Sequence, residues 1–305
     1  MRQPRPPALL ALLLCLPHTG CPAPARESKA PERRRPPPKP APRPTVDVLY
    51  TDLDGTLFNK DTAIDQVNLA ALRRYQARGG RVGFATGRMF RTVKHIPGLI
   101  RADLPLIYSN GALITDARGK LLRMLVLTDA RAVRTACKLV REAGCGFLYT
   151  AHGNPKTGAT TIHRDECAPP TDPALGVVKI RASHCIRLEW LLPRLRGAVG
   201  KRIHIVEAGD GRWRGVSMAA MGVGKDKALE FVRARLNLDV RRMAFVGDSG
   251  NDVSAAAMIH RRGGRCFAVS NAGKPLRAVC PNVTQKDHRN GAVAEVIRRL
   301  LESPQ

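Results

Sequence analysis

The sequence predicts an α/β fold: three layers with a mostly parallel sheet between helices, interrupted by an inserted α+β module. Three observations carry that expectation. From residue 46 onward short, nearly continuous apolar runs alternate with amphipathic stretches, and such runs suit strands covered on both faces. Loops rich in Asp, Thr, Gly and Asn follow several of those runs directly. The stretch between two of these loops far exceeds the single helix and strand that one crossover needs, so a module must be inserted there.

The first 45 residues are expected to lie outside the folded body. Arg2 and Arg5 precede an apolar segment, Ala8 to Leu16, too short to span a bilayer as a helix, and Ala23-Pro24-Ala25 matches a signal-peptidase site. Gly20-Cys21 hints at a lipoprotein site, although His18 stands where a small aliphatic residue is expected. The basic stretch from Arg26 to Arg43 resists translocation. Export or envelope attachment through this leader is the favoured localisation, with organelle targeting or a cytoplasmic location as alternatives. Residues 22–45 are Pro- and Arg-rich and should form an extended linker.

Beyond the linker, strands are expected at Val46–Thr51, Arg81–Ala85, Pro105–Ser109, Arg241–Gly247 and Arg265–Val269. Ile64, Val67, Ala71, Leu72 and Tyr75 recur at helical spacing, and Gly79-Gly80 ends that helix. Val293, Val296, Ile297 and Leu300 mark a last helix. Asp54 and Thr86 are 32 positions apart, enough for one helix and one strand, whereas Thr86 and Lys225 are 139 apart. The core is therefore assigned to residues 46–123 and 214–303, and the insertion to 124–213. The insertion should open with a helix carrying Val133, Ala136, Cys137, Leu139 and Val140. It should continue with strands at Val177–Ile180 and Arg202–Glu207, and a hairpin or loop at Ala151 to Thr161.

Net charge is +26 over 305 residues, and residues 1–45 account for only +7 of it. The folded part is itself basic, which favours small anionic ligands. Aromatic residues make up 4% and no Lys/Arg run is interleaved with them, so nucleic-acid binding is not expected. None of the eight cysteines forms a C-x-x-C pair. His163, Cys167, His184 and Cys185 are close enough in sequence to consider zinc, but they lack the spacing of a metal finger and read better as scattered residues.

Four sets of residues carry chemistry. Asp52 and Asp54 end the first strand in Thr51-Asp52-Leu53-Asp54-Gly55-Thr56. Two carboxylates one residue apart at a buried strand end repel each other unless a cation or a reacting phosphate compensates. A carboxylate can attack phosphorus, and a second one nearby can move the protons. Thr86-Gly87-Arg88 follows the second strand and offers a hydroxyl, exposed backbone amides and a guanidinium for an oxyanion. Lys225 opens a helix after Gly222-Val223-Gly224, where a cation is unfavourable with the helix dipole unless an anion is near. A nucleotide-binding P-loop is excluded there, because it needs Gly at Ala219 and Ser or Thr at Asp226. Finally Gly247-Asp248-Ser249-Gly250-Asn251-Asp252 supplies two more acids at a strand end, the hard oxygen ligands that suit Mg²⁺.

Together the four sets resemble the haloacid dehalogenase superfamily of phosphatases, in its class IIB (Cof-type) branch, over roughly residues 46–303. The resemblance implies a Rossmann-like three-layer core with an inserted α+β cap. It implies Asp52 as nucleophile, Asp54 as general acid/base, and Thr86 and Lys225 as stabilisers of the transferring phosphoryl group. Mg²⁺ would be held by Asp52, the Asp54 backbone carbonyl, Asp248 and Asp252. Gly87, Arg88, Asn110 (in Ser109-Asn110-Gly111-Ala112) and Asn251 would help bind the phosphate. Gly250 and Val269-Ser270-Asn271-Ala272 look closest to sucrose-phosphate phosphatases. Asp226 departs from the usual Gly: an acid there can pair with Lys225 and weaken phosphate binding, and it also suits the helix start. The expected function is Mg²⁺-dependent hydrolysis of a small phosphate monoester, a sugar phosphate, through an aspartyl-phosphate, with no stable protein partner. A phosphomutase on the same scaffold and a non-catalytic phosphate-ester-binding protein are the alternatives. His152, Asn154, Lys156, Lys179 and His204 are the cap residues considered for substrate contact, and pattern alone does not choose among them.

Overall fold

A computed structural model describes residues 44–208 and 214–302. The expected leader and nearly all of the linker lie outside the described residues. In chain order the elements begin with β1 (Val48–Thr51), α1 (Gln66–Ala77), β2 (Arg81–Phe84), α2 (Phe90–Val93), α3 (Ile96–Leu99), β3 (Leu106–Tyr108), β4 (Leu113–Thr115) and β5 (Leu121–Met124). The inserted region holds α4 (Ala130–Glu142), β6 (Cys145–Gly153), β7 (Thr160–Arg164), β8 (Gly176–Cys185), α5 (Leu188–Val199), β9 (Ile203–Ala208) and β10 (Gly215–Ala220). The chain then completes the core with α6 (Lys225–Leu236), β11 (Met243–Gly247), α7 (Val253–Arg261), β12 (Arg265–Ala268), α8 (Lys274–Val279), β13 (Asn282–Val283) and α9 (Ala292–Glu302).

The core sheet runs β13-β12-β11-β1-β2, and every pairing in it is parallel. Its central strands are buried along their whole length, as their unbroken apolar sequences require. Helices α1 and α9 pack together, as do α6 with α7 and α7 with α8. The chain leaves β1 toward β2 on one side, while β11 continues to β12 and β13 on the other. The order therefore reverses between β1 and β11, and a crevice opens at the carboxyl ends of those two strands.

The expected strand at 105–109 behaves differently from its parallel neighbours. Beside β2 it forms a single parallel bridge, between Ala85 and Ile107, with Tyr108 packed edge-on against Phe84, and it otherwise pairs antiparallel with β4. Ser109 and Asn110, both at positive φ, turn the chain straight back.

The cap is a five-stranded antiparallel sheet, β7-β6-β8-β10-β9, with α4 and α5 packed on it. Residues 215–220, assigned from spacing to the core, instead hydrogen-bond to β8 and β9 in this sheet. The cap sheet thus runs to Ala220 and returns to the core only just before Lys225. Leu148, Ile180, Ala182, Val216 and Met218 are buried apolar residues at alternate positions along their strands, so the residues between them face the other way. Disulfides Cys137–Cys167 and Cys145–Cys185 lie in the cap, and Cys266–Cys280 in the core. The first two consume the thiols of the sequence-level zinc alternative. Among the described residues no helix is long and apolar enough to cross a membrane.

Candidate active site

The pairing of Thr51 with Val246 sets the two acidic loops side by side, and the Asp52 N–H donates to the Val246 carbonyl at 2.9 Å. Gly55, at φ +72°, lets the first loop turn over the second. A Cβ at that position would lie 2.3 Å from an Asp248 carboxylate oxygen, so no larger residue fits without moving the acid. Gly247 has a matching role, since its Cβ would meet the Asp252 carboxyl at 2.6 Å.

Asp52, Asp248 and Asp252 each bring a carboxylate oxygen within 4.8 Å of the others. Lys225, fully buried at the start of α6, donates to Asp52 at 2.7 Å and to Asp252 at 2.6 Å. The other oxygen of Asp252 accepts from the backbone N–H groups of Asp248 and Ser249 at 3.1 and 3.0 Å. Thr56 donates to Asp248 at 3.4 Å. Burial pushes the Asp52 carboxyl well above its usual range; Lys225 pulls it back, while Asp252 and Asp248 push it further up. Burial also pushes Asp248 up to about 7, helped by Asp252. Burial works against the Lys225 ammonium, but Asp252 and Asp52 outweigh it and hold its pKa above the ordinary value. Three carboxylates face one ammonium, and all the donors are hard oxygens. That set fits Mg²⁺, which takes one or two carboxylates and keeps water and substrate oxygens as its other ligands.

Thr86 is buried beside β2, with its backbone tied to Ile107 and Asn110 and its hydroxyl accepting from the Arg88 N–H at 3.1 Å. Asn251 donates to the Asn110 side chain at 3.0 Å and accepts from Ser249 at 2.7 Å, so these two amides form one wall of the site. Asn271 donates to the Gly55 carbonyl at 2.9 Å and steadies the first loop.

Arg88 and Asp226 each have a partner that the sequence did not name. Arg88, read as an oxyanion contact, clamps Asp54 with its Nε at 2.8 Å and its Nη2 at 2.6 Å. That pairing raises the Arg88 pKa, and it turns the half-exposed Asp54 toward the cleft. Asp226, which by its place in the sequence could pair with Lys225, accepts instead from Ser254 at 3.2 Å, because Lys225 is already held between two acids.

A cleft of about 570 Å³ leads from Asp54, Gly87, Arg88, Asn110 and Asn251 to the underside of the cap sheet. Of the cap residues considered, Lys179 lines this cleft and donates to the Gly87 carbonyl at 2.9 Å. His204 lines a smaller space of about 210 Å³ beside Lys225 and Asn251. Asn154 closes the β6–β7 turn by accepting from the Lys156 and Thr157 N–H groups, and His152 sits in a separate cap cavity. Sequence reasoning missed Tyr149, Arg164 and Arg181, which also line the cleft. The period-two spacing of Lys179 and Arg181 within an apolar strand was the available signal.

A family model described as haloacid dehalogenase-like hydrolase matches residues 49–163 and 187–297. This chain belongs to that family. Proteins named HMP-PP phosphatase from Escherichia coli O6:H1 and Klebsiella pneumoniae are 27% and 26% identical to it, each alignment covering 83% of this chain and 95% of the relative. Among solved structures, a haloacid dehalogenase-like hydrolase from Bacteroides thetaiotaomicron matches with a TM-score of 0.66 at 20% identity, over 83% of this chain and 99% of that one. Another from B. subtilis gives 0.63 at 20% identity, over 83% and 99%. These structures share the fold, cap included. With the acids intact and gathered, the chain is a phosphatase-type hydrolase of this family, and Asp52, Asp248 and Asp252 are its Mg²⁺ site.

Proposed function

We propose that this enzyme hydrolyses a small phosphate monoester, a sugar phosphate, through an aspartyl-phosphate on Asp52. The observation that carries the reading is the meeting of Asp52, Asp248, Asp252 and Lys225, from three remote parts of the chain, next to the cleft that Asp54 lines. The HMP-PP phosphatase name of the relatives supports a small phosphate ester as substrate. The resemblance of Val269-Ser270-Asn271-Ala272 and Gly250 to sucrose-phosphate phosphatases supports a sugar as leaving group.

In the first step an Asp52 oxygen bonds to phosphorus as the ester P–O bond breaks, and Asp54 gives its proton to the departing oxygen. In the second step Asp54 takes a proton from water, the water oxygen bonds to phosphorus, and Asp52 leaves as a carboxylate with inorganic phosphate. Bound Mg²⁺ supplies charge neutralisation for a phosphate dianion that the acids would otherwise repel. Lys225 orients Asp52 and neutralises part of the same charge, while the Thr86 hydroxyl donates to a phosphoryl oxygen. For Asp54 to act, Arg88 must share or release it, which couples proton transfer to the loop that binds phosphate.

Asp52→Asn is expected to lower phosphate release by roughly a thousandfold or more, with the fold unchanged by circular dichroism. Activity near wild type in that variant would reject the mechanism. Free phosphate without isomerised ester separates hydrolysis from a phosphomutase.

Location belongs to the same proposal. The chain is read as exported, and pairing of Cys137–Cys167, Cys145–Cys185 and Cys266–Cys280 supports an oxidising compartment. Non-reducing peptide mapping of protein from fractionated cells tests this, and free thiols at those six positions would argue for the cytosol.

A further inference from the structure

The cap face above the cleft carries an ordered set of cations. Strand register aligns Arg164, Tyr149, Arg181 and Ser217 in one row across β7, β6, β8 and β10. All four line the cleft that also reaches Asp54. Lys179 stands two positions from Arg181 on β8 and so shares its face. This is not ordinary surface basicity. Lys179 is 7% exposed, and its ammonium rests on the neutral Gly87 carbonyl. Among the described residues no carboxylate lies within ion-pair distance of it. A buried ammonium held only by a carbonyl is costly, and an arriving anion would offset that cost.

The transferring phosphoryl group already has Lys225 and Thr86. Lys179 lies beyond it, where the rest of the substrate must sit, and a neutral alcohol would leave its buried ammonium on the Gly87 carbonyl alone.

We propose that the substrate's leaving group carries an anionic group of its own, a second phosphate or a carboxylate. Lys179 and Arg181 hold it, Arg164 stands at the rim, and the carbon skeleton lies against Tyr149. The proposal rests on the phosphatase reading of the site and narrows the monoesters it prefers.

The test assays the full chain with Mg²⁺ on glucose 6-phosphate, glucose 1,6-bisphosphate and 6-phosphogluconate. At least one doubly anionic compound is expected to exceed glucose 6-phosphate in kcat/KM by about tenfold or more. Which one does so identifies phosphate or carboxylate as the second group. Arg181→Gln should shrink that ratio by roughly tenfold, and Arg181→Lys should recover much of it. Equal kcat/KM on all three compounds, or an Arg181→Gln loss of the same factor on each, would overturn the proposal. Absence of any hydrolysis would count against the phosphatase reading instead. The binding claim is then decided by calorimetry of the same compounds on the Asp52→Asn protein. Tighter binding of a doubly anionic compound supports it; equal affinities, or no binding, overturn it.

Discussion

Lys179 links the chemistry of the core to the reading of substrate by the cap. Burial lowers its pKa to about 8; Arg181 on its own strand acts in the same direction, Asp54 opposes, and Lys225 across the site adds to the lowering. Its positive charge is therefore lost as pH rises through 8. The preference for a doubly anionic substrate over glucose 6-phosphate should fall by roughly threefold to tenfold between pH 7 and 9. Lys179→Arg should flatten that fall, since a guanidinium keeps its proton throughout the range. A ratio independent of pH in the wild type, or the same decline in the variant, would show that Lys179 does not carry the effect. The Arg88–Asp54 clamp belongs to this scale too. The sequence offered Arg88 as a phosphate ligand, and only the three-dimensional approach of two loops, 34 residues apart, shows that it holds Asp54.

At the level of elements, the core strands were legible because a strand buried on both faces must be mostly apolar, and β1, β2, β11 and β12 are, with arginine only at the partly exposed first positions of β2 and β12. The four loops were legible because acids and a lysine at strand and helix ends have few structural uses. The return strand β10 was not. Its sequence Gly-Val-Ser-Met-Ala-Ala has little β character, and its place follows from hydrogen bonding to β8 and β9. The cap cations were hidden for a related reason, since Tyr149, Arg164 and Arg181 become neighbours only through strand register. The cysteine pairing likewise joins positions 30 and 40 residues apart that no spacing rule connects. Closing such loops should stabilise the cap. Replacing Cys137 and Cys167 together by Ser is expected to cost roughly 3–4 kcal/mol, read from urea unfolding. An unchanged midpoint would show that this bridge contributes nothing to stability.

For the molecule as a whole, core and cap share one site: the core brings the acid cluster and Lys225, and the cap lays Lys179 on the loop after β2 through the Gly87 carbonyl. A metal that binds only the folded core should then stabilise the whole. Mg²⁺ at about a hundredfold excess over its Kd should add about 2.7 kcal/mol, visible as a rise in Tm, and Asp248→Asn should abolish the rise. An equal rise in that variant would place the ion elsewhere. The convergence of distant loops on one phosphorus atom is tested most directly by trapping the covalent intermediate. Protein quenched in acid during turnover of a phosphate ester, digested and mapped by mass spectrometry, should carry phosphate on the Asp52 side chain. Steady release of inorganic phosphate with Asp52 unmodified, or with the adduct on another residue, would contradict the account.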